Sequence, residues 1–308
     1  MKSIALFFVS LFLFSEMTAQ NEKDRAFIKE HTNTKVLNKI SEVNKTFFNN
    51  YLRKGINPNV QLTITNSKNQ IGHLSGFDKE NNPVYDFDDN IDAAKTIGVN
   101  NIWTGGASGL NLNGSGIVIG HWEATGLAHS THQELNGKIT HAESSVITND
   151  HATHTAGTMI GTGLDPQARG IASGATIISR KSDSDEAEIA DFAAGGGILT
   201  NHSYRTGNTN NTTSVFGVYT DNVREWDEIM YNAPFLTMCK SAGNERNDVP
   251  AINGGDNGYD IINTVSGCKN LITVGAVNKI SAYTGPQSVV LSTFGNWGPT
   301  DDWRIKPD

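Results

Sequence analysis

The chain is 308 residues long, carries a formal net charge of −8 and contains 31 glycines. An acidic balance with no basic face excludes the nucleic-acid binders, whose footprint is a cationic surface. Only Cys239 and Cys268 occur, which excludes a small disulfide-stapled scaffold, while the glycine content announces tight turns and close backbone approaches.

The first residues, Met1-Lys-Ser, put one positive charge ahead of an apolar run over residues 4–14, followed by Ser15-Glu-Met-Thr-Ala. That is the layout of a secretory signal peptide cut after Ala19, and it implies a secreted, extracellular protein. The apolar run falls short of the about 20 residues that a membrane-spanning helix takes. No later stretch is long enough, so no membrane association is expected once residues 1–19 are removed. Residues 20–308 suffice for one large domain plus a small one.

Over residues 24–52, Val36, Ile40, Val43, Phe47 and Tyr51 recur at helical spacing between charged and amide residues, predicting one amphipathic helix. Alternation in Val60-Gln-Leu-Thr-Ile-Thr, and two apolar segments within 71–87 interrupted by Asp78-Lys-Glu-Asn-Asn-Pro, predict strands joined by a turn. Residues 20–88 therefore read as a small α+β unit.

Beyond Asp88-Asp-Asn the texture changes. Apolar runs that do not alternate, Ile117-Val-Ile, Ala175-Thr-Ile-Ile, Gly197-Ile-Leu-Thr, Phe235-Leu-Thr-Met and Leu271-Ile-Thr-Val, take turns with helical stretches over 186–194 and 221–231. In the second of these Val223, Trp226 and Met230 share a face. Strand then helix, repeated, predicts a three-layer α/β fold, a parallel sheet with helices on both faces over residues 89–308. Sites in such sheets lie at the carboxyl ends of the strands. Cys239 and Cys268 fall in or beside these buried runs. Export allows a disulfide between them, and two buried free thiols fit the pattern equally.

Two segments carry chemistry. His151-Ala-Thr-His-Thr-Ala-Gly-Thr-Met sets a histidine ahead of small residues that let a helix pack closely on a sheet. A metal site at His151 and His154, with His129 and His132 as further donors, lacks the glutamate of the His-Glu-x-x-His motif, and no metal or other cofactor is expected. Lys240-Ser-Ala-Gly-Asn-Glu follows an apolar strand directly. An asparagine there can place an amide N–H where a carbonyl oxygen becomes negative, although Gly243-Asn244 alone also describes an ordinary turn.

Over residues 91–308 the chain resembles the subtilases, serine peptidases whose catalytic Asp, His and Ser come in that chain order. Gly116-Ile-Val-Ile-Gly-His-Trp-Glu, with Thr131-His-Gln-Glu-Leu after it, resembles the strand bearing the acid. His151-Ala-Thr-His-Thr-Ala-Gly resembles the His-Gly-Thr-His-Val-Ala-Gly block. Ser241-Ala-Gly-Asn resembles the oxyanion segment, and Leu271-Ile-Thr-Val-Gly-Ala-Val and Phe294-Gly-Asn-Trp-Gly-Pro the two blocks that follow. The resemblance implies a serine endopeptidase acting on proteins or peptides as a monomer. It implies Glu123 as the orienting acid, His151 as general base and Asn244 as oxyanion donor. It also implies that Ser203, Tyr204 and Arg205 lie along a substrate-binding strand, and that residues 20–88 stand where subtilases carry a propeptide. Calcium sites, frequent in the family, cannot be read from this sequence.

Three departures stand out. The family's acid is aspartate and this chain has Glu123, whose extra methylene displaces the carboxylate by about an ångström, a shift that can cost on the order of 10²-fold. Arg205 replaces a glycine, so a long cation is expected to narrow the subsites or select acidic groups, or else to point into solvent. No Gly-Thr-Ser-Met-Ala segment occurs. The nucleophile is thus expected beyond Asp308, with the 308 residues by themselves inactive. A non-catalytic, peptide-holding homologue is the alternative.

Overall fold

A computed structural model describes residues 21–53, 61, 63–65, 71–77, 83–88, 96–144, 147–164, 168–208, 215–248, 255–278, 280 and 283–308. The expected signal segment, the 78–82 turn and the 89–95 junction lie outside the described residues. In chain order come α1 (Glu22–Glu30), α2 (Thr34–Arg53), β1 (Thr63–Thr65), β2 (Ile71–Phe77), β3 (Pro83–Asp88), β4 (Val118–Glu123) and β5 (Ile139–His141). There follow α3 (Asp150–Ile160), β6 (Thr176–Lys181), α4 (Asp185–Ala194), β7 (Leu199–His202), β8 (Tyr204–Asn208), α5 (Asp221–Asn232), β9 (Thr237–Ser241) and β10 (Ile272–Val274).

The single helix expected over 24–52 is two helices. Asn21 opens α1 with a capping box: its side chain accepts the N–H groups of Lys23 and Asp24, and the Asp24 carboxylate accepts the Asn21 N–H. The break falls at Thr32 and Asn33, whose side chains compete with the backbone ladder. Thr32 donates to the Ile28 carbonyl (2.7 Å) and Asn33 accepts the Val36 N–H (3.2 Å). The buried face of α2 also differs from the expected stripe. Leu37 and Ser41 are buried while Val43 is 56% exposed, because the docked side of a helix is chosen by its neighbours and several stripes satisfy the same 3.6-residue spacing.

Six strands form a sheet in the order β10-β9-β7-β4-β6-β5, with every neighbouring pair parallel. Against one face Trp122, Ile189, Trp226, Met238 and Leu37 form a core with α4 and α5; against the other Ile119, Ala152, Ala156, Ile160 and Ile177 pack beneath α3. Each of the large aliphatic side chains among them contributes roughly 1.5–3 kcal/mol by leaving water. Gly120 has a steric reason, since a Cβ there would run into the Trp122 ring. Pleating puts Ile119, His121 and Glu123 of β4 on the α3 side and Trp122 on the other.

The second sheet, β1-β2-β3-β8, joins the two halves of the chain. Its last pair is antiparallel, from Val84 opposite Asn208 to Asp88 opposite Tyr204. The N-terminal helices rest on the α4–α5 layer through Leu37, through Asn33 N–H to the Asn232 carbonyl (2.8 Å), and through Lys45 to Asp191 (2.5 Å).

Candidate active site

Glu123 is the last residue of β4 and has no exposed surface. His151 stands in the first turn of α3, where the Asn149 side chain caps the helix by accepting the N–H groups of His151 (2.8 Å) and Ala152 (3.2 Å). That cap sets the imidazole over the end of β4, with Nδ1 3.0 Å from Glu123 Oε2. The other oxygen, Oε1, accepts the Thr155 hydroxyl at 2.7 Å and lies 3.2 Å from His121 Nε2. Burial by itself would raise the pKa of this carboxyl. The hydrogen bonds from His121 and His151, with the attraction of both rings, outweigh it and bring the pKa down to about 2. At neutral pH the site therefore holds a carboxylate against an imidazole.

Gly243 follows β9 with φ +116°, and a Cβ there would collide with the amides of Asn296 and Asn263. Asn244, half-buried, comes next, and its N–H donates to Glu245 Oε2 at 3.0 Å. Glu245 is itself gripped. Its Oε2 accepts the Asn296 amide (2.6 Å), its N–H donates to Asn296 Oδ1 (2.7 Å), and its Oε1 pairs with Arg205 Nε at 2.8 Å. The loop bearing Asn244 is thus fixed by a charged strut that no local pattern announced, although Asn296 sits in the Phe294-Gly-Asn-Trp run.

The three residues expected along a substrate strand divide. Ser203 is half-buried, with Oγ accepting the Asn201 amide at 2.9 Å. Tyr204 turns its side chain inward: its ring is buried in the core, its hydroxyl donates to Asp185 (2.5 Å), and its carbonyl accepts Lys240 Nζ (2.8 Å). Arg205 also turns inward. It neither faces solvent nor offers a free cation to acidic substrates, since it is 1% exposed and paired with Glu245; its charge could enter the interior only with that partner. The backbone from Tyr204 to Asn208 is paired with β3, so this edge accepts an extended strand from the chain itself.

His129 and His132 turn to other work: His129 Nε2 lies 3.8 Å from Asp150, and His132 Nδ1 accepts the Glu134 N–H. Among the described residues no three His, Cys, Asp or Glu side chains gather as a metal site would need. Cys239 and Cys268 are free thiols. No helix among the described residues is long and apolar enough to cross a membrane. Sequence reasoning missed His121 and Thr155, both in quoted blocks; the signal was a polar residue where the resembled histidine block has valine, and a histidine two residues before the acid on the same strand face.

A parallel α/β sheet with a buried carboxylate on an imidazole at its strand ends defines a protein built like a hydrolase. The subtilase family model matches residues 53–308, and the chain belongs to that family, a family of serine peptidases. Among solved structures it is similar to a cold-adapted subtilisin-like serine proteinase, at 19% identity and a TM-score of 0.37, over 62% of this chain. The match covers 63% of that proteinase, less than two thirds of its length. No curated protein matches the chain.

Proposed function

We propose that this chain belongs to a secreted endopeptidase that hydrolyses protein or peptide bonds through an acyl-enzyme, with Glu123, His151 and Asn244 in the acid, base and oxyanion roles. The observation that carries the reading is the 3.0 Å contact between Glu123 Oε2 and His151 Nδ1, made by a carboxylate that stays ionised. An acid on Nδ1 holds that nitrogen protonated and leaves Nε2 to take the proton of a serine hydroxyl as it attacks the scissile carbonyl. The same Nε2 then returns the proton to the leaving amine, and Glu123 stabilises the imidazolium between the two steps. Asn244 donates to the carbonyl oxygen as it becomes negative.

A substrate would extend along the edge of β8 next to Ser203, in the antiparallel manner of β3. By this reading β3, with residues 20–88 as a propeptide, holds that edge before a substrate does. The family's serine segment does not occur within the 308 residues, so this stretch by itself is not expected to turn over peptide. The test is hydrolysis of a fluorogenic peptide by the complete gene product, beside a His151→Ala control. Cleavage that the variant loses supports the proposal; saturable peptide binding without cleavage supports a non-catalytic homologue in its place.

A further inference from the structure

His121 is a fully buried imidazole that the mechanism above leaves unused. It lies two residues before Glu123 on β4, so both side chains face α3. Its Nε2 is 2.8 Å from Thr155 Oγ1 and 3.2 Å from Glu123 Oε1, and the Thr155 hydroxyl in turn donates to that Oε1 at 2.7 Å. The other ring nitrogen, Nδ1, is buried with no hydrogen-bond partner. The proton of the neutral ring therefore belongs on Nε2, where acceptors wait; on Nδ1 it would leave a buried N–H unanswered.

The direction of the hydrogen bonds follows. His121 Nε2–H donates to Thr155 Oγ1, the Thr155 hydroxyl donates to Glu123 Oε1, and the remaining oxygen, Oε2, is left to His151. We infer that His121 is a positioning residue: with Thr155 it clamps one oxygen of Glu123 and so aims the other at His151 Nδ1. A glutamate has one more rotatable bond than an aspartate, and each free rotamer takes the carboxylate away from the base. The clamp removes that freedom. This inference rests on the reading of Glu123 and His151 given above and adds to it the device that makes the longer acid workable. Of the titratable groups around His121, Glu123 shares its face of β4 and His151 of α3 meets the other oxygen of Glu123, whereas His202 of β7 lies on the opposite, Trp122 face of the sheet.

The test needs no turnover and uses the 308-residue chain, labelled for imidazole nitrogen NMR. The readouts are the slowly exchanging Nδ1–H signal of His151 and the midpoint of its titration. His121→Leu is expected to lose that signal and to lower the midpoint by about half a pH unit or more, because a wandering carboxylate supports the imidazolium less. His121→Gln, whose amide can donate from the place of Nε2, is expected to restore both, which mere filling of space would not do. An unmoved midpoint with the signal retained in His121→Leu overturns the inference. If His121→Leu does not fold, Thr155→Val carries the test, since it removes only the hydroxyl: the same downward shift supports the clamp and an unmoved midpoint overturns it. Glu123→Gln separates this from the parent reading. If that change also leaves His151 unmoved, the Glu123–His151 pair itself fails; if it alone moves His151, only the role of His121 fails.

Discussion

In the proposed reading Glu123 serves both the chemistry and the stability of the fold. Its carboxyl titrates at about 2 in the fold against an ordinary 4.5. A lowered folded value means that its contribution is complete above pH 4.5 and is lost as the pH falls towards 2, by on the order of 3 kcal/mol. The stability gap between the parent and Glu123→Gln, measured by urea unfolding, should therefore be widest at pH 6–7 and shrink steadily below pH 4.5. A gap that stays constant over that range would show that the carboxylate is not held as described. In the complete gene product the same variant should lower peptide turnover by ~10⁴-fold, the loss known for removing this charge in serine peptidases. Loss within a few-fold would move the acid's role elsewhere. That an acid stood at position 123 could be read from a strand-end carboxylate ahead of His151. That it would share its other oxygen with His121 and Thr155 could not, because the strand pattern of Gly120-His-Trp-Glu reports burial and not partners.

At the scale of elements, Arg205 of β8 and Glu245 beyond β9 tie a sheet edge to the loop that carries Asn244. Both are almost wholly buried, so removing one leaves the other as an uncompensated interior charge. Arg205→Ala should cost about 3–5 kcal/mol, and adding Glu245→Gln to it should recover part of that loss. A double-mutant cycle by urea unfolding checks this; strictly additive costs would mean that the two charges do not depend on each other. The cation at 205 was visible as an oddity, a long basic residue in a strand of buried neighbours. Its partner lay forty positions on, past a helix and another strand, and only the parallel pairing of β7 with β9 brings those segments side by side.

At the scale of the molecule, the N-terminal unit is joined to the rest by backbone pairing of β3 with β8 and by the burial of Leu37 in the α4–α5 core. Association of this kind does not need a covalent link. A specific protease site placed within residues 89–95 and cut should leave the two pieces together on gel filtration, and they should part only in denaturant. Separation in plain buffer would show that the pairing is held by the chain connection alone. The Lys45–Asp191 ion pair is half-exposed and screened, so the apolar contact and the strand pairing are expected to carry the association.

The alternation of strands and helices beyond residue 89 and the parallel sheet were set down in the sequence by non-alternating apolar runs, and short blocks of special residues singled out Glu123, His151 and Asn244 as candidates. Those features are local: a strand buried on both faces needs consecutive apolar residues, and a close-packed helix needs small ones, whatever lies far along the chain. Tertiary structure alone decided that Arg205 turns inward to Glu245, that β8 is covered by β3, that α2 docks through Leu37 and not Val43, and that His121 reaches the acid through Thr155. Each of these is a contact between segments distant in sequence, and its energy comes from matching charge, shape and hydrogen-bond direction across elements. Periodicity along one segment holds no record of the surface that segment will meet.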